Sequence, residues 1–193
     1  VTVRRVLLFV AVLGALAAVV LGLLVVPRAP GSLDTWATDR TGELSERLLD
    51  VLVLPTEPYL VIPAIALIAG AAWYLRRRED VILAVAAPVL AVALNTWVLK
   101  PIFGRWKDGT LAYPSGHTVS LVAVLVVLVL LARPKVLAAI AAILLLGCAT
   151  IGLVGLGYHY LTDVAGGVCF ATAVVTGLRA VLIPRRVPAP STG

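Results

Sequence analysis

Residues 136–183 read VLAAIAAILLLGCATIGLVGLGYHYLTDVAGGVCFATAVVTGLRAVLI. The stretch is apolar throughout, apart from Arg179 near its end and one short polar turn, Tyr158-His159-Tyr160-Leu161-Thr162-Asp163. A helix that crosses a bilayer takes about 20 predominantly apolar residues, with a range of roughly 17–25. The stretch therefore reads as two membrane helices, 136–157 and 164–183, joined by a turn that carries a histidine and an acid. On a helical turn His159 and Asp163, spaced i, i+4, share a face. A carboxylate in that position can hold an imidazole in one tautomer and make it a better nucleophile or base.

Working outward, four more apolar runs follow the same logic: 6–26, 59–75, 81–99 and 117–132, the last of them short. The fold expected is all-α, a six-transmembrane helix bundle forming a single integral membrane domain over residues 1–193. Composition agrees. The chain is 61% hydrophobic and 13% charged, against about 25% charged in soluble domains, which excludes an ordinary soluble domain. Arg4 and Arg5 ahead of the first run resemble the charged start of a signal peptide. The run is longer than the roughly 7–15 residues of such a segment, so a retained span is expected.

The basic residues alternate with the spans. Arg4 and Arg5, Arg76 to Arg78, Arg133 and Lys135, and Arg179, Arg185 and Arg186 fall on one side if each run crosses once. The positive-inside rule makes that side cytoplasmic. A multi-pass protein of the cell membrane is expected, with both termini cytoplasmic. The other side then carries the segment 27–58, the loop 100–117 and the His159 turn. It also gathers the acids Asp34, Asp39, Glu43, Glu46, Asp50 and Glu57. Pro27 to Gly31 stops the first helix. Between 34 and 54, apolar residues at Leu44, Leu48, Val51 and Leu52 alternate with charges, the pattern of an interfacial amphipathic helix.

The loop 100–117 holds Lys100, Arg105 and Lys107, three cations within eight residues, and ends in Pro114-Ser115-Gly116-His117. Gly104 and Gly109 loosen it. Ser115 and Gly116 can present a hydroxyl and backbone N–H groups at a helix start, where phosphate binds readily. His117 and His159 are the only two histidines of the chain, and both are expected at the same extracytoplasmic surface. Cations, an N–H cradle, a nucleophile with an orienting acid and a second imidazole are the parts of phosphoryl transfer through a covalent intermediate. Cys148 and Cys169 sit inside spans and read as small buried hydrophobes. No metal-binding spacing is present, and no nucleic-acid module appears, so no cofactor and no nucleic-acid partner are expected.

At these residues the chain resembles a known family, the bacterial membrane members of the type 2 phosphatidic acid phosphatases, in the lipid phosphate phosphatase and vanadium haloperoxidase superfamily. The family pattern is Lys-x6-Arg-Pro, then Pro-Ser-Gly-His, then Ser-Arg-x5-His-x3-Asp. The middle piece matches fully at residues 114–117; Lys100, His159 and Asp163 match in the other two. The resemblance implies that His159 is the nucleophile forming a phosphohistidine, that Asp163 orients it, and that His117 protonates the leaving alcohol. It further implies that Lys100, Ser115 and Gly116 hold the phosphate oxygens of a lipid phosphate. Two pieces diverge. Lys107 and Asp108 stand for Arg-Pro, and Gly152 and Leu153 stand for Ser-Arg. Leu153 cannot bind phosphate, so Arg105 or Lys107 is expected to supply the missing charge beside Lys100. Three readings follow: a hydrolase of a lipid mono- or diphosphate, a lipid-linked phosphotransferase, and a degenerate, non-catalytic relative that binds lipid phosphate. Chain length, headgroup and oligomeric state are not legible.

Overall fold

The structure, a computed structural model, describes residues 2–25 and 30–183. Val26 of the first expected span, part of the Pro27–Gly31 stop, and Arg185 and Arg186 lie outside the described residues. Among the described residues the chain is helical almost throughout: α1 Thr2–Val25, α2 Ser32–Gly42, α3 Glu46–Val53, α4 Pro58–Tyr74, α5 Arg78–Leu94, α6 Lys100–Phe103, α7 Gly116–Leu131, α8 Lys135–Gly155 and α9 Leu161–Leu182. A 3₁₀ turn, Leu54–Thr56, leads into α4, and a π-helical turn, Asn95–Leu99, runs α5 into α6.

Five stretches are long and apolar enough to cross a membrane: Thr2–Val25, Glu46–Tyr74, Arg78–Phe103, Lys135–Gly155 and Leu161–Leu182. The sixth expected span is the 16-residue α7, below the length a bilayer usually requires. α7 is the interior helix, packed against α5, α8 and α9, and eight of its residues from Thr118 to Val127 are buried. The main apolar core gathers around it, with Val119, Val122, Ala123 and Val127 against Leu83, Ala87 and Ala91 of α5 and Ala171 and Val175 of α9.

Two local expectations are corrected. The segment 34–54 is not one amphipathic helix. It breaks after Gly42, and Ser45 takes an extended conformation before α3 starts. Its apolar face is used inside the protein. Leu49 and Val53 of α3 press on α8 where Gly152 leaves no room for a side chain, since a Cβ there would come within 2.6 Å of the Val53 nitrogen. The loop 100–117 is likewise more ordered than its glycines suggest. Trp106–Lys107 pairs antiparallel with Thr110–Leu111 across an Asp108-Gly109 turn, both of whose residues have positive φ. Asp-Gly is a favoured sequence for such a two-residue hairpin turn. The all-α expectation thus holds apart from one small β-ribbon.

The two ends of the bundle are chemically distinct. Arg4 donates to the Ala180 carbonyl at 3.2 Å. Asp80 at the start of α5 accepts from Arg179 near the end of α9 at 2.8 Å. The start of α1, the start of α5 and the end of α9 therefore share one end. At the other end the Tyr113 hydroxyl donates to the Ala18 carbonyl of α1, and Phe103 fills the gap left by Gly22. Tyr113 is fully buried, edge-on to Phe103 with ring centroids 5.1 Å apart, and Gly166 of α9 leaves space for its ring.

Candidate active site

The second end is built by three chain turns. The first is the hairpin after α6. The second is the start of α7, where Ser115 is the N-cap: its hydroxyl accepts from the Thr118 amide at 3.3 Å and from the Thr118 hydroxyl at 3.0 Å. The third is the α8–α9 turn, which Gly157 closes with φ of +74°, a conformation that L side chains rarely adopt. The Ser115 amide donates to the Asp163 carbonyl at 3.1 Å, fixing the second turn to the third.

This arrangement brings the two histidines together. His117 Nδ1 and His159 Nε2 lie 3.4 Å apart, with the rings at 66° and their centroids separated by 5.6 Å. Tyr158 stacks against His117, with ring centroids 6.0 Å apart. Both histidines line an open cavity of about 830 Å³. Lys100, Lys107 and Gly116 line it too, as do Glu57 and Asp108. Lys100 Nζ donates to the Leu111 carbonyl at 2.6 Å and sits beside Gly116, where an added Cβ would lie 3.9 Å from it. Lys107 donates to the Gly157 carbonyl and lies 4.4 Å from the centroid of the Tyr160 ring.

Charge and burial set the protonation states. Burial pushes His159 well below the ordinary imidazole range, and the neighbouring His117, Lys100 and Lys107 add to this. The neutral ring is the form with a lone pair to donate. Burial also lowers Lys107, while Asp108 and Asp163 oppose the shift.

Asp163 is completely buried, but its partners are not those the spacing suggested. Its Oδ1 accepts from Arg105 Nη1 at 2.6 Å and its Oδ2 from the Tyr160 amide at 2.9 Å. The nearest approach to His159 Nδ1 is 3.9 Å, beyond hydrogen-bonding distance, and that nitrogen is buried with no hydrogen-bond partner. The acid faces the ring, but a bond between them requires a shift of about 1 Å.

Arg105 lies behind the cavity wall, not in it. It is 4% exposed and donates to Asp163, to the Thr162 hydroxyl at 2.8 Å and to Asp34 at 3.2 Å. Ser115 is likewise enclosed within its own cap. Leu153 is 1% exposed, in an apolar cluster with Ala37, Val53, Val154 and Val164. Of the two residues expected to stand in for the missing arginine, only Lys107 lines the cavity with Lys100.

Several residues at this end escaped the sequence reading. Asp34 is one of six acids in its segment, and nothing in the local pattern separates it from the others. Thr162 is an ordinary first-turn residue by sequence. Asn95, buried in the π-helical turn, donates to the Pro114 carbonyl at 3.4 Å while its own carbonyl oxygen has no partner. The unusual turn that holds it has no sequence signature.

Residues 95–186 match the family model described as the PAP2 superfamily. The match begins at Asn95 and takes in the hairpin, Pro114 to His117, and the His159 turn. No curated protein and no solved structure matches the chain.

Proposed function

We propose that this chain, whose residues 95–186 match the PAP2 superfamily model, is an integral membrane phosphatase that hydrolyses a lipid phosphate through a phosphohistidine. The observation that carries the reading is the approach of His117 and His159 to 3.4 Å at the wall of a cavity that also holds Lys100 and Lys107. A binding protein needs cations in such a cavity, but not a neutral, desolvated imidazole with a second imidazole against it.

The chemistry runs in two displacements. Neutral His159 attacks phosphorus through Nε2, the nitrogen that faces His117. The P–O bond to the lipid alcohol breaks as the N–P bond forms, and His117, protonated at the start, gives its proton to the leaving oxygen. Water then attacks the phosphohistidine, His117 takes a proton from it, and the N–P bond breaks to release phosphate. Lys100 and Lys107 balance charge on the equatorial oxygens, with the α7 start beside them. As His159 becomes cationic during transfer, closing the 3.9 Å gap to Asp163 stabilises it. Apolar helices on all sides suit a substrate whose acyl or prenyl chain stays in the membrane while its phosphate enters the cavity. The basic residues at the opposite end of the bundle support an extracytoplasmic site.

Phosphate release from a panel of lipid mono- and diphosphates, by purified protein in detergent, tests the reading. Release by the wild type and none by His159→Ala is the expected result, with inhibition by vanadate, a mimic of the five-coordinate transition state. No release from any lipid sinks it. Transfer to an added alcohol in place of water identifies a phosphotransferase.

A further inference from the structure

We infer that Asp34, in α2 and outside the stretch that matches the family model, is a positioning residue for the catalytic turn. The inference rests on the phosphatase reading, because it concerns how His159 and Asp163 are held for that reaction. Asp34 is 1% exposed, and both its oxygens are used. Oδ1 accepts from the Thr162 amide at 2.9 Å. Oδ2 accepts from the Thr162 hydroxyl at 2.9 Å and from Arg105 Nη2 at 3.2 Å.

Two of these bonds come from Thr162 in the first turn of α9, and the third comes from Arg105, which also reaches that turn. The Thr162 amide belongs to a helix start, where backbone donors lack intrahelical partners, and Asp34 supplies one from another helix. Arg105 then bridges the two acids. One guanidinium nitrogen reaches Asp34, and the other reaches Asp163 and the Thr162 hydroxyl. Asp163 Oδ2 is thereby left turned to the Tyr160 amide and the His159 ring. If Asp34 is removed, Arg105 is free to follow Asp163, and the only tie of the Thr162 amide to α2 is lost.

Two carboxylates sharing one guanidinium also leave a net negative charge behind His159. That charge suits a ring that becomes cationic when phosphorylated and neutral again afterwards. Arg105 thus acts through Asp163 and Asp34 and does not touch the phosphate. The cavity retains two cations, Lys100 and Lys107.

The test compares Asp34→Asn, which keeps the shape and one acceptor oxygen but loses the charge and the second acceptor, with Asp34→Ala, which loses the charge and both acceptors. Asp39→Asn, exposed on the same helix, is the control. Misplacing a catalytic group by about 1 Å costs on the order of 100-fold in rate. The expected result is a fall in kcat of about 10-fold for Asp34→Asn and about 100-fold for Asp34→Ala, with KM within about twofold of wild type and the control unchanged. Wild-type kcat in Asp34→Asn and Asp34→Ala overturns the inference; if Asp34→Ala does not fold, wild-type kcat in Asp34→Asn alone does so. If the wild-type protein itself releases no phosphate, the phosphatase reading has failed, and the clamp is read from hydrogen exchange at the Thr162 amide. Faster exchange in Asp34→Asn or Asp34→Ala supports it; unchanged exchange overturns it.

Discussion

Each end of this bundle carries a cluster of arginine and aspartate side chains that ties distant parts of the chain together, and the two clusters differ in what surrounds them. At one end Asp80 pairs with Arg179 at 2.8 Å and with Arg77 at 3.8 Å, and the Arg77 side chain is 45% exposed. At the other, Asp163 and Asp34 share Arg105, and none of the three side chains is more than 5% exposed. The first cluster staples α5 to α9 in contact with water, where ion pairs contribute little. The second is dry and adjoins a cavity containing a desolvated imidazole. A charged group is stabilised there only by its partners, so each residue's position is set by the others.

The strongest break in that comparison is at the histidine. His159→Ala is expected to reduce phosphate release by about 10⁴-fold or more, as removal of a covalent nucleophile does elsewhere. Asp80→Asn at the opposite end is expected to leave kcat within about twofold. A steady-state assay on both proteins decides the point, and comparable losses would mean that both variants act through folding.

Next in size are the cavity cations. Lys100→Gln and Lys107→Gln are each expected to cost about 10²–10³ in kcat, the usual cost of losing one preorganised charge-stabilising group. Lys107 also carries a pH signature. Burial lowers its pKa, so its positive charge is lost at a lower pH than that of an ordinary lysine. Activity should therefore decline on the alkaline side earlier than a lysine in water would dictate. Lys107→Arg should move that decline upward, and an unmoved alkaline limb assigns the decline to a group other than Lys107.

Stability separates the two ends next. Arg105→Gln leaves two buried carboxylates facing each other and is expected to destabilise by about 3–5 kcal/mol. Arg179→Gln is expected to cost at most about 1 kcal/mol, because its pair is partly exposed and Arg77 remains beside Asp80. Thermal melts in one detergent rank them, and equal shifts would show that burial does not distinguish the clusters. Leu153→Arg belongs with the large losses. It places an unpaired charge among Ala37, Val53 and Val164, and a cost of several kcal/mol is expected. A gain in turnover without destabilisation would show that α2 and α3 yield readily around position 153.

These contrasts also mark how far the sequence could be read. The helices were legible because burial in apolar surroundings writes itself into composition, run by run. The meeting of His117 and His159 was legible because alternating spans return both turns to one end. The Asp108-Gly109 hairpin was written plainly, and its glycine was taken for looseness. Arg105 was not legible: a cation in the loop that ends at His117 reads as a phosphate ligand until Asp34, 71 residues away, is seen to hold it. Local spacing set the i, i+4 relation of His159 and Asp163. It could not foresee that Arg105 and the Tyr160 amide occupy the carboxylate first. Pairings of this kind are decided by tertiary contact, and a single sequence has no local record of them.

The smallest effect is the one that ties His159 to stability. Its pKa is lowered in the folded protein, chiefly by burial, so the folded state favours the neutral ring, while the unfolded chain protonates near the ordinary value of about 6.5. Below that value the unfolded state binds more protons than the folded one, and stability rises with pH there. The contribution is thus fully present above about pH 6.5 and is lost progressively as pH falls toward the depressed value. At the opposite end no histidine adds a like term, since His117 and His159 are the only two in the chain. A series of melts from neutral to acid pH should show a decline that His159→Asn makes shallower and Asp80→Asn, read over the upper part of that range where carboxylates stay ionised, does not. If both variants keep the wild-type slope in that window, His159 is not held neutral by its surroundings, and its readiness to attack phosphorus has to come from the substrate's arrival.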